Sequence, residues 1–326
     1  MSLLEKLRCS AIVRLLLVAM LYCVLAVPLF FFLAFVSRWM GFGEEAPTLA
    51  EGRGLLFHLI AIGAYCVVAL IVHLTIGLGV ERKLLSEIGF DPEDWLADLG
   101  AGFAGGTALV LLMVGSMWAL GWYRVLGVAV TGQPLPFAGL LGGTFVLLLV
   151  VAVGEEVLFR GILQRILEEG LGTVPAIVVS GLLFGVAHLM NPEASWQAAL
   201  LIGGVGGTLL GLLYAYTRSL WAPIAAHWAW NFMEGVVLGL PVSGLESVRL
   251  LEAKISGPLL WTGGKFGPEA GLIALASLAP AILVLAVMVL RRAEFRAPLW
   301  YERRVAREAR DSVLAMRMEG EAPEDP

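Results

Sequence analysis

Residues 150–165 read Val150-Val151-Ala152-Val153-Gly154-Glu155-Glu156-Val157-Leu158-Phe159-Arg160-Gly161-Ile162-Leu163-Gln164-Arg165. The stretch continues an apolar run that starts at Phe137. Only Gly154 and Gly161 interrupt it, and a helical pattern extends on to Glu169. A run of about 20 apolar residues crosses a bilayer as a helix. An isolated charge in hydrocarbon costs a contested ~3 to ~17 kcal/mol. A chain that keeps two carboxylates and a guanidinium at such depth has a use for them.

The same pattern recurs twice downstream. His188 ends one apolar segment, and His227 with Asn231 sits in another. The whole chain of 326 residues is 59% hydrophobic and 15% charged, with a mean hydropathy of +0.86. Soluble domains are about 45–50% apolar and ~25% charged, so the composition is that of a multi-pass membrane protein. Eight spans follow from the apolar runs, at 12–36, 55–80, 100–120, 137–158, 174–190, 196–217, 220–240 and 270–290. The expected fold is an all-α polytopic transmembrane helix bundle with an intramembrane polar cavity. It divides into N-terminal helices over 1–136, a polar-motif core over 137–240, and a last span with a charged tail over 241–326.

The first run, Leu15 to Val36, exceeds the ~7–15 residues of a signal peptide and lacks a small-x-small cleavage site. It reads as a retained helix. Sixteen of the 22 Lys and Arg fall on one side of this topology, which places both termini in the cytoplasm of a cell-membrane protein. The acidic end, residues 319–326, reads as disordered. No basic domain exists to bind nucleic acid. Cys9, Cys23 and Cys66 are scattered, so neither a disulfide framework nor a Cys-rich metal site is indicated. Gly102 and Gly106, and Gly203, Gly207 and Gly211, carry the four-residue spacing that brings helix backbones close.

Helical spacing sorts the polar residues. Glu156 and Arg160 are i,i+4 and share a face, so they are expected to pair. Glu155 points ~100° away and is left to face a cavity, where a desolvated carboxylate could act as general base. Phe184 and His188 share a face, as do His227 and Asn231. Asn231 supplies an uncharged N–H donor fit for an oxyanion. A turn near 170–172 puts Glu155 and His188 each about 15 residues from it, ~22 Å at 1.5 Å per residue, so an antiparallel pair brings them level. His58 and His73 have no polar neighbour at helical spacing and read as structural.

Glu155-Glu156-x-x-x-Arg160, Phe184-x-x-x-His188 and His227-x-x-x-Asn231, in this order, resemble the three motifs of the CPBP family. That family comprises type II CAAX prenyl endopeptidases with bacterial Abi and bacteriocin-processing or immunity relatives. The resemblance covers roughly residues 140–240. It implies an intramembrane endopeptidase cutting near the cytoplasmic face, by CAAX-type processing or a related reaction. By the same resemblance Glu155 activates water with help from His188. His227 and Asn231 bind the oxyanion, and Glu156 with Arg160 supports the scaffold. The partner is a membrane-associated peptide or protein, lipidated if the reaction is of CAAX type.

Two questions stay open at the level of sequence. A zinc ion needs three protein ligands and an open position. His188, His227 and Glu155 could supply them, yet a metal-free glutamate mechanism uses the same groups and there is no HExxH motif. The second question is activity itself. The fold also serves non-catalytic immunity or scaffold proteins, and intramembrane Glu and His build proton relays in transporters.

Overall fold

A computed structural model describes residues 10–42, 52–129, 137–292, 295–297, 301 and 304–312. Eight helices dominate. α1 is Ala11–Trp39, and Ser10 caps it by accepting from the Val13 N–H. α2 is Gly52–Val80 and α3 is Trp95–Ala119. α4 is Phe137–Leu171, α5 is Thr173–Met190 and α6 is Trp196–Thr217. α7 is Trp221–Asn231, prolonged by the π-helical Phe232–Val237. α8 is Leu272–Arg291. The acidic end, 319–326, lies outside the described residues.

Seven of the eight are long and apolar enough to cross a membrane: α1 to α6 and α8. The expected span over 220–240 is a shorter helix, and this corrects the count of eight by length alone. Its 11 α-helical and six π-helical residues fall below the ~20 that a bilayer asks for. α7 is instead enclosed, with eight of its α-helical residues buried, among them His227 and Asn231. The long helices turn Leu, Val and Phe outward. Phe30, Phe31 and Phe35 on α1 are each more than 65% exposed. Such a surface suits lipid as solvent, and the protein is a multi-pass membrane protein.

Polar contacts show how the helices alternate. Glu81, at the end of α2, accepts from Arg14 near the start of α1 and from Arg165 late in α4, at 2.7 and 2.5 Å. Glu169 holds Arg14 at 2.7 Å and also pairs with Lys83. Glu168 takes Arg218, after α6, at 2.6 Å. The Leu220 N–H, before α7, donates to the Gly89 carbonyl, before α3. The Arg296 N–H, beyond α8, donates to Thr173 Oγ1 at the start of α5. Arg14 and Arg296 therefore lie at one charged end of the bundle.

At the other end a two-stranded antiparallel sheet closes the structure. β1, Tyr123–Val128, follows α3, and β2, Leu251–Ile255, follows α7. The all-α expectation holds apart from this ribbon.

Glycine sets the tightest crossings. A Cβ on Gly102 or Gly106 would lie 2.2 or 2.4 Å from the carbonyl oxygens of Ala222 and Ala226, so α3 and α7 run parallel in backbone contact. A Cβ on Gly185 would lie 2.0 Å from the Ala199 oxygen, and Gly181 faces Gly203 and Gly207. α5 and α6 are thus antiparallel. In lipid, close packing of this kind is the main source of helix association.

Candidate active site

α4, α5, α6 and α7 supply the polar residues. α4 changes from α- to π-helical at Val157, directly after the glutamates, and returns at Arg165. Single π-turns occur most often where function needs side chains re-aimed. α6 and α7 carry similar segments at Ile202–Gly207 and Phe232–Val237.

Glu156 and Arg160 are fully buried and pair at 2.7 Å, as their spacing led us to expect. The guanidinium also donates to the Gly207 carbonyl at 3.2 Å and stacks 4.7 Å over the Phe184 ring. One turn on, Gln164 donates to the Gly211 carbonyl at 2.9 Å. A Cβ on Gly211 would lie 2.8 Å from Gln164 Oε1, so glycine leaves room for that side chain, whereas Gly207 meets Gly181 of α5.

The same Glu156 oxygen, Oε1, lies 2.9 Å from His227 Nδ1. A carboxylate already accepting from Arg160 can only accept again, so Nδ1 carries the proton. Nε2 then faces Glu155, whose Oε2 is 3.8 Å away. That Oε2 is buried and has no hydrogen-bond partner among the described residues, although the Glu155 side chain as a whole is 33% exposed.

His188 closes α5 in a short 3-10 turn. Its Nδ1 donates to the Phe184 carbonyl at 2.8 Å, which leaves Nε2 as the acceptor. The Phe184 ring packs against His188, His227 and Arg160 at once. Asn231, 8% exposed, makes no side-chain hydrogen bond among the described residues.

Two cavities meet here. One, about 420 Å³, is lined by Glu155, His188, His227 and Asn231 together with Tyr22 and Tyr65. The other, about 450 Å³, shares His188, His227, Asn231 and Ser243 and runs between α3, α6 and α8 past Leu209, Leu278 and Leu285. The sequence-predicted residues thus gather at one junction. Glu155 on α4 and His188 on α5 line the same cavity. His73 bonds the Ile88 carbonyl away from the set, whereas His58, which bonds the Gly54 carbonyl as His188 bonds that of Phe184, lines the smaller cavity too.

Zinc is a poor fit to this arrangement. Among the described residues no three of His, Cys, Asp and Glu converge as a metal-holding group. His227 gives Nδ1 to Glu156, and the Glu155 carboxylate stands 3.8 Å from its Nε2.

Sequence reasoning missed several participants. Phe184 was seen only as a helical neighbour of His188, and the carbonyl of Gly207 gives no signal in a sequence. Glu234 follows Asn231 by three residues in an apolar run, a signal that was legible. Glu269 and Ser243 lie in loops, where no periodicity points inward.

Residues 137–233 match the model of a family described as Rce1-like, type II CAAX prenyl endopeptidase Rce1-like. The match bears out the resemblance read from the three motifs. It spans α4 to the first π-helical residues after α7 and includes Glu155, Glu156, Arg160, His188, His227 and Asn231. No curated protein matches the chain.

Proposed function

We propose that this membrane protein is an endopeptidase that hydrolyses a peptide bond within the bundle, using a water activated by Glu155. The observation that carries the reading is the unpartnered Glu155 Oε2. It lies 3.8 Å from His227 Nε2, on a cavity that His188 and Asn231 also line. A buried carboxylate oxygen without a partner is costly, and a water bound there would relieve it.

Glu155 takes a proton from that water as its oxygen attacks the scissile carbonyl. His188 Nε2, an acceptor, orients the water from the α5 side. Asn231 Nδ2 stabilises the oxyanion, joined by His227 Nε2–H when the imidazole, flanked by Glu155 and Glu156, is doubly protonated. Donors fixed in place before charge develops are worth about 10²–10³ in rate each. Glu156 and Arg160 position His227 and touch no reacting atom. Glu155 returns its proton to the nitrogen as the C–N bond breaks.

The apolar walls of the two cavities support a lipid-bearing, membrane-associated protein as substrate, cut by CAAX-type processing. The charged end carries Arg14, Lys83, Arg165 and Arg218, and the cytoplasm is the side rich in such residues. Both termini then face the cytoplasm, and the site opens toward it.

The test is hydrolysis of lipidated peptides by the purified protein in liposomes, beside Glu155→Gln. Equal cleavage by wild type and variant rules out this mechanism.

A further inference from the structure

α7 carries another carboxylate beyond Asn231. Glu234 is fully buried in the π-helical end beside Trp230, and among the described residues neither of its oxygens makes a hydrogen bond of normal geometry. It lies beside Glu269, from the 3-10 turn Pro268–Ala270 that leads into α8. Glu269 is only 9% exposed. Its Oε1 accepts from the Ser243 N–H at 2.5 Å and from Ser243 Oγ at 3.0 Å. Its Oε2 is buried without a partner. Glu269 and Ser243 line the larger cavity together with His188, His227 and Asn231. Among the described residues, neither carboxylate is in an ion pair.

Without a cation nearby, burial and the neighbouring Glu269 carboxylate push Glu234 toward its protonated form. A cationic N–H donor beside the pair favours the ionised state of both, whose oxygens only accept hydrogen bonds. Peptide hydrolysis makes such a donor. Water adds to the carbonyl carbon, and the C–N bond breaks with its electron pair going to nitrogen. The two water protons join the amide proton there. The products are a carboxylate and an ammonium. Glu155 stands on the smaller cavity and Glu269 on the larger, and His227 and Asn231 line both.

We propose that Glu269, backed by Glu234, forms the subsite for the amino group of the leaving peptide. The apolar larger cavity then takes the side chains on that side of the cut. This deepens the peptidase reading and rests on it. Ser243 fixes one Glu269 oxygen, so the other has a set direction toward the cavity.

The test uses the full-length protein in detergent and two probes, Leu-Leu-Leu and acetyl-Leu-Leu-Leu, by titration calorimetry. Wild type binds the free amine about tenfold tighter, the worth of one buried charged hydrogen bond. Glu269→Gln and Glu234→Gln bring the ratio near one. Glu234→Gln leaves both Ser243 contacts intact, so its effect is not one of loop collapse. Glu155→Gln keeps the ratio, so failure of catalysis and failure of the subsite are read separately. Equal affinities in wild type overturn the proposal, as does a ratio that persists in both Gln variants. Binding of calcium alone that needs both glutamates, with none of Leu-Leu-Leu, marks a cation site and also overturns it.

Discussion

Glu156 Oε1 lies 2.9 Å from His227 Nδ1 while accepting from Arg160 at 2.7 Å, so one carboxylate oxygen joins α4 to α7 and orients the imidazole. The guanidinium in turn reaches α6 through Gly207. Three helices are keyed by one buried ion pair, and the imidazole that faces Glu155 inherits its orientation from it.

Arg160→Met leaves Glu156 buried without its cation, and breaking such a pair costs about 3–5 kcal/mol. The melting point should fall and kcat should drop more than KM rises, because His227 loses its anchor. Glu156→Gln/Arg160→Met removes both charges and should recover much of the stability but none of the activity. Melting curves in detergent, set beside cleavage rates, check both parts.

Glu155→Gln should behave in the opposite way. Its Oε2 has no partner and its side chain is one-third exposed, so the fold loses little. The rate should fall by about 10²–10⁴, the usual worth of a general base. A variant that melts early without losing rate would assign Glu155 a structural role.

The residues do not converge as a zinc site. Cleavage should therefore survive dialysis against a strong chelator, and purified protein should hold zinc well below one per chain. Activity lost to the chelator and restored by one equivalent of zinc would refute this.

Gly185→Ala should destabilise by about 1–3 kcal/mol or more, as overpacking does, because its Cβ would lie 2.0 Å from the Ala199 oxygen. Gly204→Ala, on the facing helix α6 next to Gly203 with nothing within 4 Å of the new atom, should be neutral or slightly stabilising, since alanine is the better helix former. Thermal midpoints of the two variants settle the contrast. Both glycines look alike in sequence, and only the facing backbone separates them.

That contrast bears on how much could be read without coordinates. The long apolar runs predicted six of the seven crossing helices to within a few residues at most ends, because hydrocarbon thickness sets their length. For α4 the span over 137–158 was right in place, and the helical pattern running on to Glu169 proved closer to its true end. α7 was overestimated because its apolar run looks like a span, whereas it is a short helix buried by its neighbours. The sheet of β1 and β2 escaped notice. Its strands lie 123 residues apart at their closest ends, and local pattern carries no pairing information.

The amino-acid sequence by itself determined the class of fold and the polar groups that matter. Charge in an apolar run is expensive, so Glu155, Glu156, Arg160, His188, His227 and Asn231 declare themselves, and i,i+4 spacing pairs Glu156 with Arg160. Only the tertiary structure decided that Glu156 also holds His227, that Phe184 packs among three of these groups, and that Glu234 and Glu269 approach the junction from the far side. These are contacts between helices and loops distant along the chain. Helical periodicity tells which residues share a face, but which faces meet depends on close backbone approach at glycines such as Gly106, Gly185 and Gly207.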